Sequence, residues 1–458
     1  MTHAPVLTAP APRSHVARVD VEHLRRDAVA TLLRNWRGSS TVPTATLYPH
    51  QWSWDSAFIA VGLAHISSRR AWSELFSLFG AQWRDGRVPQ IVFNPSVPKD
   101  AYFPGPPYWQ PLPAGGPVVG VSTTGLVQPP VHAAAALSVV RHTPHDEVRP
   151  MVQRIYPALA AYHDYLFSRR MLPSGLVAIV HPWESGCDNS PSWDAPLDAV
   201  TAGIDDIATL RRDLDHVSRS ARPTDQEYAR YMLIASTYRD TGYRDDDLVS
   251  LPFCVVDPLF NALLVWSERA LADIARLADQ PAQHHLDRAA ALSAAMHQQL
   301  FDDDLGSYVA VDARTGHPSR VRTVGGLAPL LLSDLPGGHR RALMRTLSGP
   351  SFLVDGAAYG VPSYDLTAGD VDPYRYWRGP TWINTSWLLR AALRDAGEYA
   401  RALRLTESML GLVTKSGFRE YFHPWTGEGL GASDFSWSAA LVLDVLHDLE
   451  SADGHRQR

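Results

Sequence analysis

The chain has 458 residues, of which 45% are hydrophobic and 20% charged, and its net charge is -6. These values are typical of a globular protein with a sizeable core, and the absence of a basic stripe excludes nucleic acid as an expected partner. Two cysteines, Cys187 and Cys254, form neither a disulfide framework nor a zinc-ligand spacing. No apolar run reaches the length of a membrane span and no secretory signal is visible, so we expect a cytoplasmic location and no membrane partner.

Helical periodicity dominates the chain after residues 1–18, which are rich in Ala and Pro and predict a disordered tail. In chain order the pattern predicts helices over 21–35, 55–64, 70–83, 131–141, 147–168, 225–240, 257–277, 282–300, 325–332, 337–347, 382–396, 398–410 and 434–449. Strand signals are few, and the clearest, 307–311, follows a turn at 303–306 and predicts a hairpin. We therefore predict an all-α protein.

Because the helices are paired along the sequence, we predict an (α/α)6 toroid: six helical hairpins around an axis. The prediction places one catalytic domain at 19–450, with an inserted loop and helix region around 189–250. Five long helix-poor segments, 43–54, 88–130, 181–222, 354–380 and 417–433, carry most of the aromatic residues, Pro and Gly. Loops of this length are usually functional, and in a toroid they gather at one end and form a pocket.

Aromatic residues are unusually abundant, with 14 Trp and 17 Tyr, and many of the Trp residues lie in these loops. An indole ring stacks on the apolar face of a sugar, so the composition favours a carbohydrate site. In the first loop, Trp52 and Trp54 lie two residues apart, and Asp55 follows at a helix start. Asp55 is either a helix cap among packed rings or an acceptor for sugar hydroxyls.

Three acids and two Trp residues lie within residues 183–194. Glycosidic cleavage needs a carboxylic acid that protonates the leaving oxygen, and aromatic walls raise the pKa of such a group. Asp188 is the best-placed candidate for this general acid. Glu184 and Asp194 are predicted to cap a helix or to bind hydroxyls, and the whole cluster could also be a helix start.

Two later segments complete the candidate site. Trp377 and Trp382 flank Arg378, which would bind a carboxylate in a structural or an orienting role. Glu420, between Arg419 and Tyr421, is predicted to stay ionised and to activate water, with Glu428 as its competitor in the following turn.

Together the four segments resemble glycoside hydrolase family sixty-three, which includes processing α-glucosidases and bacterial mannosylglycerate and glucosylglycerate hydrolases. The motifs are Trp52-Ser-Trp-Asp55, Trp183-Glu-Ser-Gly186-Cys-Asp188-Asn-Ser-Pro-Ser-Trp193, Tyr376-Trp-Arg-Gly-Pro-Thr-Trp382 and Glu420-Tyr-Phe-His-Pro-Trp-Thr-Gly-Glu-Gly. The resemblance runs from about Tyr48 to Leu443. It implies an (α/α)6 fold and hydrolysis with inversion, with Asp188 as general acid and Glu420 as general base. The sugar site that it implies is lined by Trp52, Trp54, Asp55, Gln128, Trp183, Trp377, Trp382 and Trp437. We also expect the substrate to be bound by Tyr48, Gln90, Gly186, Tyr376 and Arg378.

The segment from Arg222 to Tyr228 is similar to the glycerate-recognising segment of the glycerate-glycoside hydrolases. The resemblance implies that Arg222 and Tyr228 hold a substrate carboxylate, and Tyr102 fits the same group. Gln90 and Phe435 stand where the glucosylglycerate enzymes carry His and Gln.

The expected function is inverting hydrolysis of a small α-glucoside, glucosylglycerate or mannosylglycerate, without a metal or another cofactor. Neutral α-glucobiosides are the alternative substrates. Two alternatives come from other classes of protein: a sugar epimerase or isomerase, and a sugar-binding protein without catalysis. Such epimerases and isomerases use His as acid and base, whereas the motifs of this chain centre on Asp and Glu. Assembly into a homo-oligomer is left open.

Overall fold

The computed structural model describes residues 20–456, apart from 112–114, 118–119, 204–206, 216, 355 and 357. The predicted tail at 1–18 lies outside the described residues. Twelve helices build the body of the molecule: α1 Val21–Asn35, α2 Ser53–Ala64, α3 Ser68–Phe79, α4 His132–Val140, α5 His145–Tyr165, α6 Pro258–Leu277, α7 Gln283–Gln299, α8 Val324–Leu331, α9 Gly337–Ser348, α10 Ile383–Asp395, α11 Tyr399–Ser416 and α12 Ser436–Arg456. The predicted helices are confirmed with small shifts of their ends, and α8 is wound as a 3₁₀ helix.

Six of these helices form an inner ring in which each packs against the next: α2, α4, α6, α8, α10 and α12, with α12 returning to α2. The other six lie outside the ring; α1 packs on α12, α3 on α2, α5 and α7 on α6, α9 on α8, and α11 on α10. This alternation of outer and inner helices is the predicted (α/α)6 toroid.

Burial explains which helices lie inside. All twelve residues of α2 are buried, whereas α3 buries the stripe of Ala71, Trp72, Leu75 and Leu78 and leaves its other face partly exposed. The ring closes tightly between α2 and α12, because a Cβ on Gly62 would lie 2.3 Å from the Cα of Ala440. Only glycine permits this approach.

Strands are short and lie in the loops. The small antiparallel pairs are β1 (Gln51–Trp52) with β2 (Ile91–Val92), β5 (Phe301–Asp302) with β6 (Ser307–Tyr308), and β9 (Tyr421–Phe422) with β10 (Gly429–Leu430). The strands β3 (Ala178–Ile179), β4 (Val255–Val256), β7 (Ala310–Asp312) and β8 (His317–Ser319) form a four-stranded sheet. The predicted strand 307–311 is split between two hairpins, because residue 309 separates β6 from β7. The larger sheet was not predicted, since its strands are two or three residues long.

The connection between α5 and α6 is the longest in the described chain and contains the predicted insertion. Its main element is the helix Asp225–Asp240, which begins at Thr224 with a capping box to Glu227. Shorter helical turns surround it: Leu166–Arg170, Pro182–Ser185, Pro191–Trp193, Asp194–Asp198, Ile207–Leu210, Asp213–Asp215, Arg219–Ala221 and Leu248–Ser250. A further short helix, Pro106–Trp109, lies in the loop before α4.

The loops that precede the inner helices gather at one end of the ring. Trp52, Gln128, Trp382 and Phe435 each stand a few residues before an inner helix begins, and the cavity described below opens among these loops. Within the described residues, no helix is both long and apolar enough to cross a membrane. Cys187 and Cys254 are both buried free thiols.

Candidate active site

A cavity of about 750 Å³, part of it open to solvent, lies at this end of the toroid. It is lined by Pro43, Tyr48, Trp52, Trp54, Asp55, Tyr102, Phe103, Gln128, Trp183, Gly186, Asp188, Asp213, Arg222, Pro223, Tyr228, Tyr376, Trp377, Glu420, Phe435 and Trp437. Both predicted catalytic carboxyls therefore share one cavity, with thirteen of the sixteen predicted binding residues around them.

Asp188 lies on a loop whose backbone carbonyls are held by hydrogen bonds from neighbouring residues. The carbonyl of Cys187 accepts hydrogen bonds from the indole of Trp193 (2.8 Å) and from the amide of Ser190 (3.0 Å), and the carbonyl of Asp188 accepts one from the Tyr231 hydroxyl (3.0 Å). These contacts fix the main chain and leave the Asp188 carboxyl to face the cavity. Burial raises the pKa of Asp188 to about 7; Arg222 opposes this shift and Glu420 adds to it. Such a carboxyl still carries its proton near neutral pH, as a general acid must.

Glu420 is buried, with 1% of its surface exposed, at the start of the β9–β10 hairpin. Its Oε1 accepts a hydrogen bond from the Tyr48 hydroxyl (2.9 Å) and lies 3.6 Å from Nη1 of Arg222. Its Oε2 accepts a bond from the amide of Ala432 (3.0 Å). Donors on both oxygens stabilise a negative charge, which suits a base.

A third carboxyl, Asp55, lies in the first turn of α2. Burial raises its pKa well above the ordinary value; its own backbone amide opposes this, and the Glu420 and Asp188 carboxyls add to it. The nearby Gln128 accepts a hydrogen bond from the Trp54 amide (3.2 Å), so it caps α2 while lining the cavity. Both side chains are placed to bind hydroxyls.

Two Trp rings form one wall of the cavity. Trp54 packs against Gly186, where φ is +74° and an added Cβ would lie 2.5 Å from the ring. Trp377 lies face to face with Trp382, at 3.9 Å between ring centroids and an interplanar angle of 1°. The predicted binding residue Trp382 thus supports Trp377 from behind and lies outside the cavity lining.

Arg222 reaches Glu420 from the long connection between α5 and α6. Its Nη2 donates to the Tyr48 hydroxyl, its guanidinium lies 4.4 Å from the centre of the Tyr376 ring, and its Nε is 3.7 Å from Asp213. The Nε–H is buried and, among the described residues, has no hydrogen-bond acceptor. Arg222 is therefore a cation in the cavity lining that pairs with the carboxylates of both Glu420 and Asp213.

Tyr228 and Tyr102 both line the cavity, where the loop before α4 meets the helix Asp225–Asp240. The Tyr228 hydroxyl donates to the carbonyl of Phe103 (2.8 Å), and its ring lies 4.6 Å from the guanidinium of Arg211. Tyr102 packs edge-on against Trp52, at 5.4 Å. The hydroxyl that was expected to bind a carboxylate is thus engaged with the main chain.

Two further predicted binding residues lie outside the lining. Arg378 binds Asp194 through both terminal nitrogens, each at 2.8 Å, and also Asp370 at 2.9 Å, so its role is structural. The backbone of Gln90 bonds to Ser53 and Leu126 (2.9 and 2.7 Å), and its side chain is buried beside β2. These contacts keep both side chains away from the cavity.

The competing acids have other partners. Glu184 is fully buried and binds Arg170 at 2.8 and 2.9 Å as well as the amides of Val127 and Val180. Glu428 is exposed in the turn after Glu420. Neither lines the cavity, whose acidic lining residues are Asp55, Asp188, Asp213 and Glu420.

Asp213 was missed by the sequence reasoning although it lines the cavity. Burial alone would raise the pKa of Asp213, but Arg211 and Arg222 hold it below its usual range. It stands in a polar segment with several other acids, so no local signal separated it from solvent-exposed neighbours.

An (α/α)6 toroid with carboxyl groups in an aromatic cavity is an architecture that suits a glycoside hydrolase. The family model of the mannosylglycerate hydrolase MGH1-like glycoside hydrolase domain matches residues 48–438. The mannosylglycerate hydrolase of Rubrobacter radiotolerans is 41% identical over 93% of this chain and 97% of its own. The glucosylglycerate hydrolase of Mycolicibacterium hassiacum is 35% identical over 91% and 96%.

Among solved structures, the family 63 mannosylglycerate hydrolase of Thermus thermophilus, in complex with Tris and D-glycerate, superimposes with a TM-score of 0.84 at 39% identity. The match covers 92% of this chain and 99% of that one. The chain belongs to the MGH1-like branch of glycoside hydrolase family 63 and is a glycosidase. The epimerase and the non-catalytic alternatives are therefore set aside.

Proposed function

We propose that this glycosidase hydrolyses α-glycosides of glycerate, mannosylglycerate or glucosylglycerate, with inversion at the anomeric carbon. The observation that carries the mechanism is the pairing of Asp188, whose pKa is raised to about 7, with the buried, donor-bound Glu420 in one cavity. Two carboxyls of opposite protonation state are what an inverting reaction needs.

In the proposed reaction the sugar lies against Trp54 and Trp377, with its hydroxyls bound by Asp55 and Gln128. Asp188 protonates the glycosidic oxygen while the bond to the anomeric carbon breaks. Glu420 takes a proton from a water molecule that attacks the opposite face of the ring. An inverting pair leaves room for this water, so we expect the two carboxyls to be about 6.5–9.5 Å apart in the complex.

The glycerate carboxylate is assigned to Arg222, because this cation lines the cavity with its Nη1 3.6 Å from Oε1 of Glu420. An arginine suits a carboxylate through its charge and its fork of donors. The relatives support this assignment, since mannosylglycerate and glucosylglycerate hydrolases both match over nearly the whole chain. For the Tyr228 hydroxyl to bind the glycerate carboxylate as well, it must release its hydrogen bond to the carbonyl of Phe103.

A neutral α-glucobioside is the second candidate substrate. It is favoured by the Asp213 carboxylate in the lining and by the engaged hydroxyl of Tyr228, both of which suit a neutral leaving group better than an anion.

The test follows the anomeric proton by NMR during hydrolysis of mannosylglycerate, glucosylglycerate and neutral α-glucobiosides. We expect release of the β-sugar from a glycerate glycoside, and a loss of at least about 10²–10⁴-fold in Asp188→Asn and Glu420→Gln. Glu428→Gln is the matched control and should keep full activity. Release of the α-sugar would overturn inversion, and full activity in either catalytic variant would overturn the assigned roles.

The glycerate assignment has a separate readout. Mannosylglycerol carries a neutral hydroxymethyl group in place of the carboxylate of mannosylglycerate, so the ratio of their kcat/KM values measures recognition of that charge. We expect wild type to prefer mannosylglycerate and Arg222→Lys to lose most of this preference. Equal turnover of both compounds by wild type would discard the carboxylate site while leaving the mechanism intact.

A further inference from the structure

Three histidines meet at the end of the toroid opposite the cavity. His65 follows the last residue of α2, His142 follows α4 by two residues, and His447 lies within α12. One ring nitrogen from each lies within 4.8 Å of those of the other two. Since α2 begins at the cavity and has 12 residues, the cluster is about 18 Å from the active site.

His65 is the most constrained of the three, with 3% of its side chain exposed. Its Nε2 lies 3.0 Å from Oδ1 of Asp444, and the other oxygen of Asp444 accepts a bond of 2.8 Å from the Trp387 indole. Because a carboxylate accepts hydrogen bonds, this contact places the proton of a neutral His65 ring on Nε2. Nδ1 of His65 then carries a buried lone pair, and among the described residues it has no hydrogen-bond partner.

The surroundings of the cluster favour a cation. Asp444 is an acid at its edge, and α2 and α4 end beside it, so the negative ends of two helices point towards the three rings. Arg141 is the opposing charge, next to His142. The neutral imidazole ring is the form that binds metals.

We propose that His65, His142 and His447 bind one divalent transition-metal ion of the Zn²⁺ type. Imidazole is a preferred ligand of such ions, and a carboxylate that holds the far nitrogen of a ligating His is the usual outer partner, the position Asp444 occupies. A Zn–N bond of about 2.0–2.1 Å places tetrahedral ligands about 3.4 Å apart. His142 and His447 are only partly buried, so small rotations of these two rings close the remaining gap and leave a fourth position for water.

The ion would stabilise the toroid and take no part in hydrolysis. His65 directly follows α2 and His447 lies in α12, and the contact between these first and last inner helices closes the ring. The same seam contains the close approach of Gly62 to Ala440. A ligand that binds only the folded chain adds stability, so a metal here would fasten the two ends of the chain together.

The test uses the full-length protein after treatment with a chelator. We expect calorimetric titration with Zn²⁺ to give one ion per chain, Co²⁺ to give the visible absorption of a nitrogen-ligated site, and Zn²⁺ to raise the melting temperature. The double variant His142→Gln/His447→Gln should lose these three responses. The Asp444→Asn variant should bind Zn²⁺ about 10–100-fold more weakly than wild type, because the substitution removes the carboxylate that holds Nε2 of His65.

The exposed His317 provides the matched control, and His317→Gln should bind like wild type. Absence of stoichiometric binding by the wild type would overturn the proposal. So would equal affinity in the double variant, since the ion would then be held elsewhere. The double variant changes two partly exposed side chains, which preserves the fold needed for this comparison.

Discussion

The hydroxyl of Tyr48 donates a hydrogen bond of 2.9 Å to Oε1 of Glu420 and accepts another from Nη2 of Arg222. Tyr48 and Glu420 are 372 positions apart in the chain. The proposed base is thus oriented by a loop from the opposite end of the sequence and by an arginine from the inserted region. Closure of the helical ring is what brings the three together.

Replacing Tyr48 by Phe should lower kcat by roughly 10–100-fold, because a hydrogen bond to a charged group contributes about 1.5–3 kcal/mol. Steady-state kinetics on the hydrolysed glycoside would measure the loss. Tyr308→Phe, which removes a hydroxyl bound to His297 far from the cavity, is the control. An unchanged kcat in Tyr48→Phe would show that the base does not depend on this bond.

The raised pKa of Asp188 predicts a pH limit on activity. The general acid works only while protonated, and burial holds its pKa at about 7. We therefore expect kcat/KM to fall as pH rises through about 7, approaching tenfold per pH unit beyond it. A profile that stays flat to about pH 9 would contradict the assignment of the acid.

The same shift makes stability depend on pH. The folded state binds the Asp188 proton more tightly than the unfolded state, whose pKa is 3.8. The resulting stabilisation is fully present below about pH 4 and is lost progressively as pH rises to about 7. Asp188→Asn should therefore raise the free energy of unfolding relative to wild type at pH 8, on the order of 4 kcal/mol, and by much less at pH 4.5. Urea unfolding at the two pH values measures the difference, and equal changes at both would contradict the linkage.

Gly186→Ala should greatly reduce activity, because the new methyl group would lie 2.5 Å from the Trp54 ring and would displace either the ring or the loop of Asp188. Gly316→Ala is a matched control, since Gly316 has the same φ of +74° with open space around it. Both variants carry the same backbone strain, so a difference in kcat/KM isolates the contact with Trp54. Equal kinetics in the two variants would show that this contact is dispensable.

The ion pair of Glu184 and Arg170 predicts a large effect on stability. Both side chains are fully buried, and Arg170 also binds Asp245 at 3.0 Å. Glu184→Gln removes one of the two carboxylates that neutralise the buried Arg170 and should destabilise the fold by about 3–5 kcal/mol in urea unfolding. The exposed pair of Asp273 and Arg276 is the comparison, where Asp273→Asn should change stability by less than about 1 kcal/mol. Similar values for the two variants would contradict the structural role of Glu184.

Helical periodicity and local motifs predicted much of this protein. The length of the predicted helices and their pairing along the sequence predicted the toroid. The candidate acid Asp188 and the candidate base Glu420 were named from residue type and aromatic neighbours, and both line the cavity. Two-residue strands such as β3 and β4 escaped prediction, because pairing across the sheet creates them and no local pattern marks them.

The arrangement of side chains around the cavity depended on contacts between segments that are distant in the sequence. The sequence by itself determined the helices, the aromatic loops and the carboxyls, because these depend on local spacing and composition. Only the tertiary structure decided that Arg378 binds Asp194 while Arg222 reaches Glu420, that Trp382 supports Trp377 from behind, and that Asp213 joins the lining. It also brought His65, His142 and His447 together. The physical reason is that partners separated by tens to hundreds of residues meet only when the ring of helices has closed.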